Sequence, residues 1–170
     1  MPNSILVVDD ERDFTDLTAY HLRHKGYEVT VAHDGERALD EARRRLPDLI
    51  LLDLMLPEID GFTVCELLRH HAPTRAIPIL LLTALTGELT RLQALAVGAD
   101  QFLTKPIRLA ELAHRVEQTL RLRGTLSQPR GGGGYPQDVR WSLRRKIAQL
   151  SPGRRDFVTR LGCHGPRSTT

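Results

Sequence analysis

The stretch Leu49-Ile50-Leu51-Leu52-Asp53 decides the reading of the fold: four apolar residues in succession, closed by an acid. A strand with one wet face alternates apolar and polar residues, whereas a strand covered on both faces does not. The run is therefore expected to be an inner strand of a parallel sheet with helices packed on either side.

Similar short apolar runs lie to both sides of it, at Ile5–Val8, Val29–Ala32, Ile79–Leu82 and Gln101–Leu103. The segments between them have helical spacing. Phe14, Leu17, His21 and Leu22 recur at helical intervals, as do Val64, Leu67 and Leu68, then Leu89, Leu92 and Ala96, then Leu109, Leu112, Val116 and Leu120. Phe14 and Leu17 are read as core. Lys25-Gly26 and Val97-Gly98 look like helix stops, and Asp34 and Thr86 like N-caps. Strands alternating with helices predict an α/β domain on a five-stranded, doubly wound parallel sheet. In such sheets ligands bind at the carboxyl ends of the strands.

The residues that follow each run are therefore the candidates for chemistry. They are Asp9 and Asp10 after the first, Asp53 after the third, Thr83 after the fourth, and Lys105-Pro106 shortly beyond the fifth, past Phe102. Two carboxylates about 4 Å apart repel by about 4 kcal/mol at an effective dielectric of 20. Three of them call for a cation. A hard divalent ion such as Mg²⁺ binds through one or two carboxylates plus phosphate oxygens and water. Lys105 adds a point charge and Thr83 a hydroxyl, a set suited to a phosphoryl group, with Asp53 as the acceptor by its central position. Singly, each residue has a plainer explanation: an aspartate after a strand commonly caps the next helix, and a lone lysine is commonly a solvated surface charge. Their joint appearance at four strand ends favours the chemical reading.

The chain of 170 residues is 41% hydrophobic and 26% charged, an ordinary globular mix. No stretch reaches the length of a membrane span, and the N-terminus carries no secretory pattern, so a cytoplasmic protein without membrane association is expected. Cys65 and Cys163 form neither a disulfide framework nor a metal-ligand pair, and His24, His70, His71 and His164 show no metal spacing. The net charge of +3 hides an asymmetry. Residues 1–120 hold 13 Lys and Arg against 19 Asp and Glu, while residues 121–170 hold 11 against 2. The boundary falls at Arg123, giving three expected regions: a domain over 1–123, a Gly/Pro-rich linker over 124–137 and a basic tail over 138–170. In the tail, Val139, Leu143, Ile147 and Leu150 form one helical stripe, with a second short pattern from Phe157 to Leu161.

Four ordered motifs carry a family resemblance. Val7-Val8-Asp9-Asp10-Glu11, Leu51-Leu52-Asp53-Leu54-Met55-Leu56-Pro57-Glu58-Ile59-Asp60-Gly61, Leu82-Thr83-Ala84 and Phe102-Leu103-Thr104-Lys105-Pro106 together resemble the receiver domain of two-component response regulators. The resemblance covers residues 4 to about 122. It implies a flavodoxin-like (βα)5 fold with strand order 2-1-3-4-5. Asp53 would accept a phosphoryl group from a histidine kinase or phosphotransfer protein. Asp9, Asp10 and Asp53, with the Met55 backbone carbonyl, would hold Mg²⁺. Lys105 would pair with the phosphoryl oxygens, Thr83 would move towards them, and Phe102 would turn inward as the switch. The Lys105–Pro106 bond would be cis. Glu58 departs from the family pattern, which has Gly or a small polar residue there, and Phe102 lacks the hydroxyl of the tyrosine often found at its place. The face formed by Leu89–Leu120 would bind an output partner or a second copy, and the exposed side of the first helix would meet the kinase.

Two rival functions come from other classes. The basic tail, with Arg140, Trp141, Arg144, Arg145 and Lys146, suits contact with nucleic acid, which would make the protein a DNA-binding transcriptional regulator. Residues Leu150 to Val158 resemble the opening of a LuxR-type helix-turn-helix domain, a truncated one. The plainer reading is a basic appendage that is partly disordered or packs as a helix on the acidic domain or a partner. The acidic cluster also suits a Mg²⁺ phosphohydrolase, but phosphatases with an aspartyl nucleophile usually carry a second Asp two residues on, where this chain has Met55. The expected protein is therefore not an enzyme beyond its own phosphorylation and dephosphorylation.

Overall fold

In the computed structural model, residues 1–125 are described, with side chains through Arg123. The elements alternate as β1 (Ser4–Val8), α1 (Arg12–His24), β2 (Glu28–Ala32), α2 (Gly35–Arg45), β3 (Leu49–Asp53), α3 (Gly61–His70), β4 (Ile79–Thr83), α4 (Glu88–Ala96), β5 (Gln101–Thr104) and α5 (Leu109–Thr125). All five strands are parallel and lie in the order β2-β1-β3-β4-β5. This is the flavodoxin-like arrangement. The linker and basic tail, with the stripe Val139–Leu150 and the pattern Phe157–Leu161, lie outside the described residues.

Every residue of β3 and β4 is buried, as an unbroken apolar run requires. Successive side chains of a strand point to opposite faces, which divides the core in two. Leu6, Val8, Ile50, Leu52, Ile79 and Leu81 face one way, against Ala38, Leu39 and Ala42 of α2, Val64, Cys65 and Leu68 of α3, and Ala94 of α4. Ile5, Val7, Leu49, Leu51, Leu80 and Leu82 face the other way, against Ala19 and Leu22 of α1 and Leu112, Ala113 and Val116 of α5. Three helices thus cover one face and two the other.

The helix stops are where the glycines put them, with Gly26 at φ 90° and Gly98 at φ 91°. Asp34 caps α2, its carboxylate accepting from the Arg37 amide at 2.7 Å. Two expectations need correction. The N-cap of α4 is Gly87 and not Thr86, with no side-chain bond to the helix end. The chain enters that helix at φ 125°, a conformation glycine adopts and threonine avoids. Leu17 is not core; it is 55% exposed, beside Tyr20 at 66%. The buried stripe of α1 runs instead through Thr15, Thr18, Ala19 and Leu22. With 3.6 residues per turn, Leu17 projects from the opposite side of that stripe. Phe14 is half-buried against the β1–α1–α5 side of the core.

Candidate functional site

Four strands deliver the site. β1 ends at Val8, so Asp9 is the first residue past the ladder, and its amide still donates to Ala32 of β2 at 3.1 Å. Asp53 is the last residue of β3 and pairs in register with Leu82, which places Thr83 one step further along the neighbouring strand. β5 ends at Thr104, and the Lys105 amide donates to the Thr83 carbonyl at 2.8 Å. The next peptide bond, Lys105–Pro106, is cis.

The three buried polar side chains at these strand ends fold back on the chain in one manner. Asp9 Oδ1 accepts from the Glu11 amide at 3.0 Å, Asp53 Oδ1 from the Met55 amide at 3.0 Å, and Thr83 Oγ1 from the Leu85 amide at 3.0 Å. Each bond reaches two residues ahead and locks one oxygen to the backbone. For the two aspartates this leaves Oδ2 free to meet Lys105. Its ammonium donates to Asp9 Oδ2 at 2.5 Å and to Asp53 Oδ2 at 2.8 Å. Asp9 is 1% exposed, Asp53 4% and Thr83 0%.

Asp10 is exposed, yet one oxygen from each of Asp9, Asp10 and Asp53 lies within 4.8 Å of the others. Asp10 does not cap the following helix. The N-cap of α1 is Glu11, and no side chain bonds there. The capping explanation for this aspartate is thereby removed.

The charges are out of balance. Burial pushes the Asp9 carboxyl above its ordinary range, despite the opposing bonds from Lys105 and the Glu11 amide, and the Asp53 charge adds to the effect. Burial also works against the charge on Lys105, but its bonds to Asp53 and Asp9 outweigh it and hold the ammonium above its usual value. One lysine among three carboxylates leaves room for more positive charge, and an all-oxygen donor set of this kind suits a hard divalent cation.

The other residues expected to take part have settings of their own. Met55 directly follows the Asp53–Leu54 pair, with an exposed side chain. Phe102 of β5 is half-buried and packs against the α2–α3–α4 side of the core. Glu58 stands at φ 64°, the left-handed region, which explains why a family pattern with glycine would suit that place. Asp60 caps α3, accepting from the Phe62 and Thr63 amides at 3.0 and 3.1 Å.

Two contacts of the site were not legible in the sequence. Gly61 lies so close to β3 that a Cβ there would sit 2.1 Å from the Asp53 carbonyl oxygen. The Phe14 ring centroid is 4.4 Å from the Lys105 ammonium. The only available signal for the second was an aromatic residue one helical turn after Asp10, which hydrophobic spacing alone assigns to core.

Comparison with known proteins agrees with this geometry. Residues 5–117 match the family model of the response regulator receiver domain. The alkaline phosphatase synthesis transcriptional regulatory protein PhoP of Bacillus subtilis is 44% identical over 129 residues, which cover 76% of this chain and 52% of that protein. The response regulator PleD of Caulobacter vibrioides is 46% identical over 130 residues, covering 76% of this chain and 29% of PleD. The chain thus spans about half, or less, of the length of the curated relatives it matches. Among solved structures, a CheY-like receiver domain protein from Methanospirillum hungatei superposes with a TM-score of 0.69 at 25% identity, covering 74% of this chain and 98% of the other. The chemotaxis protein CheY4 of Vibrio cholerae does so with a TM-score of 0.67 at 30% identity, covering 70% of this chain and 99% of the other. Strand order, the acidic cluster with its lysine and the matched sequence lead to one assignment: the chain belongs to the receiver domain family of two-component response regulators.

Proposed function

We propose that this protein is a phosphorylation-switched signalling protein in which Asp53 accepts a phosphoryl group from the phosphohistidine of a histidine kinase or phosphotransfer protein. The observation that carries the reading is the Lys105 ammonium bridging Asp9 Oδ2 and Asp53 Oδ2 at the carboxyl end of a parallel sheet. In the transfer, an Asp53 carboxylate oxygen forms the new O–P bond as the P–N bond of the phosphohistidine breaks and the imidazole leaves. Asp53 is held for this by the Met55 amide on one oxygen, which leaves the other turned towards the pocket. Lys105 is placed to neutralise a phosphoryl oxygen, and Thr83 to donate its hydroxyl to another. Asp9, Asp10 and Asp53, with the Met55 backbone carbonyl, are the residues that would hold Mg²⁺. When bound, the ion supplies the positive charge that draws phosphoryl oxygens into an acidic site.

Phosphorylation adds roughly −1.5 to −2 charges at Asp53. Thr83 and Lys105 would follow that charge, and Phe102, half-buried on β5, would turn inward by packing alone. The face of α4, β5 and α5 would change shape with it and carry the signal to an output partner or a second copy. Leu89, exposed on α4, supports an apolar contact there. The exposed side of α1, with Leu17 and Tyr20, is the face proposed to meet the kinase. Among the described residues no helix is long and apolar enough to cross a membrane, and a cytoplasmic site of action fits this chemistry.

The test is incubation with acetyl phosphate and Mg²⁺ followed by intact mass measurement. Wild type should gain one phosphoryl group and Asp53→Ala none; equal labelling of the two would refute the acceptor assignment. A second reading, regulation of transcription through the basic segment 138–170, is favoured by its charge and by a 44% identical relative, the DNA-binding dual master transcriptional regulator RpaA of Synechocystis. A mobility shift at physiological salt that vanishes on deleting residues 124–170 would support it.

A further inference from the structure

Lys105 is held on more than its two carboxylates. Its side chain is only 15% exposed. Part of the enclosure comes from α1, where Phe14, in the first turn and four residues after Asp10, brings its ring centroid to 4.4 Å from the ammonium. A cation over the face of an aromatic ring is attracted by the negative face of the π system, and the attraction grows as water is removed. Phe14 is also half-buried and packs against the core cluster on the α1 and α5 side of the sheet, so the ring lies between that core and the charge.

We propose that Phe14 is a positioning residue for Lys105: its ring face fixes the ammonium above the Asp9–Asp53 pair, ready for the incoming phosphoryl group. The inference rests on the reading of Asp53 as acceptor. An ammonium is a point charge on a flexible stem of four carbons, with no preferred direction of its own. Two carboxylates fix its distance from the acids but leave it able to swing about their axis. A ring on a third side removes that freedom before the phosphodonor arrives, so less ordering is left for the transfer step. A leucine at 14 would keep the apolar wedge and lose the electrostatic hold.

The test uses the full chain in two measurements. The first needs no phosphorylation. The Lys105 ε-methylene resonances should lie upfield in wild type through the ring current, return to ordinary positions in Phe14→Leu and stay upfield in Phe14→Tyr. The second is the rate of Asp53 phosphorylation at saturating acetyl phosphate and Mg²⁺. Phe14→Leu should slow it roughly three- to tenfold, the factor equivalent to a partly desolvated cation–π contact, and Phe14→Tyr should restore it. Ring-fluorinated phenylalanines at position 14 keep the shape while draining the π face, so the rate should fall stepwise with each fluorine. A flat fluorine series, or equal loss in the leucine and tyrosine variants, would reduce Phe14 to a packing residue and overturn the proposal. Wild type labelled no better than Asp53→Ala would overturn the acceptor reading instead, and the proposal with it.

Discussion

Gly61 lies directly against the backbone of Asp53, so that even one methyl group at 61 would come within 2.1 Å of the Asp53 carbonyl oxygen and 2.8 Å of Leu54 Cα. The contact is between α3 and the end of β3, and the Gly61 amide donates to the Leu54 carbonyl at 3.0 Å. Backbone cannot yield as a flexible side chain does. The glycine at the head of α3 therefore sets how closely the helix can approach the acceptor strand.

Gly61→Ala should destabilise the domain by about 1–3 kcal/mol, the range for overpacking a tight site. It should also slow Asp53 phosphorylation, because the relief must come from moving the β3 end. Urea unfolding and acetyl phosphate labelling on the same sample check both. An alanine variant with wild-type stability and rate would show that the contact relaxes at no cost.

The caps of α2 and α4 predict opposite outcomes. Asp34 accepts from the Arg37 amide, so Asp34→Ala should cost about 0.5–2 kcal/mol. Thr86 lies outside the helix that Gly87 caps, so Thr86→Ala should change stability by less than about 0.5 kcal/mol. Thermal melts of the two variants beside wild type decide it.

Among the described residues, two non-glycine residues hold left-handed backbone, Leu46 at φ 47° at the end of α2 and Glu58 at φ 64° in the loop after β3. The left-handed region costs an L-residue roughly 1–2 kcal/mol, and glycine returns part of that gain through its greater unfolded-state entropy. Leu46→Gly and Glu58→Gly should therefore each stabilise the domain by about 0.5–1 kcal/mol. Leu46 is about half exposed, so little buried area is lost with its side chain. A fall in the unfolding midpoint for either variant would contradict this.

Metal binding should be visible as stability. A ligand that binds only the folded state adds about 2.7 kcal/mol when present at a hundredfold excess over its dissociation constant. Mg²⁺ should raise the melting temperature of wild type, and Asp10→Asn should reduce that rise while raising the metal-free melting temperature, since it removes one of three mutually repelling charges and breaks no helix cap.

The same measurement has a pH dependence. The Asp9 pKa is raised in the fold by burial, so the native state binds its proton more tightly than the unfolded chain does. Between the two pKa values the native state holds more protons, and the intrinsic contribution of Asp9 to stability falls as pH rises. Metal needs the ionised form. The stabilisation by Mg²⁺ should therefore fade on acidification while the pH is still above the ordinary aspartate range. Persistence of the full metal effect down to that range would count against Asp9 as a ligand.

The alternation of short apolar runs with helical patterns contains the architecture, because burial on both faces and a period near 3.6 are properties of the local chain. The five strands, the strand-end residues Asp9, Asp53 and Thr83, and the stops at Gly26 and Gly98 could all be read in this way. Leu17, Thr86 and Phe14 could not. Leu17 fits a helical pattern, but only the docking of α1 on β1 and α5 chooses which stripe is buried, and that stripe is lined by Thr15, Thr18 and Ala19. Thr86 is a sound capping residue in isolation, but the turn leading out of β4 demands a conformation that hands the position to Gly87. Phe14 reads as core, and its contact with Lys105 exists because a helix and a loop separated by some ninety residues meet at one sheet edge. Patterning alone determined which residues this protein places at its strand ends. Only the packing of distant segments decided which charge meets which, since like charges, a lysine and a ring can balance one another only after the sheet has brought them together.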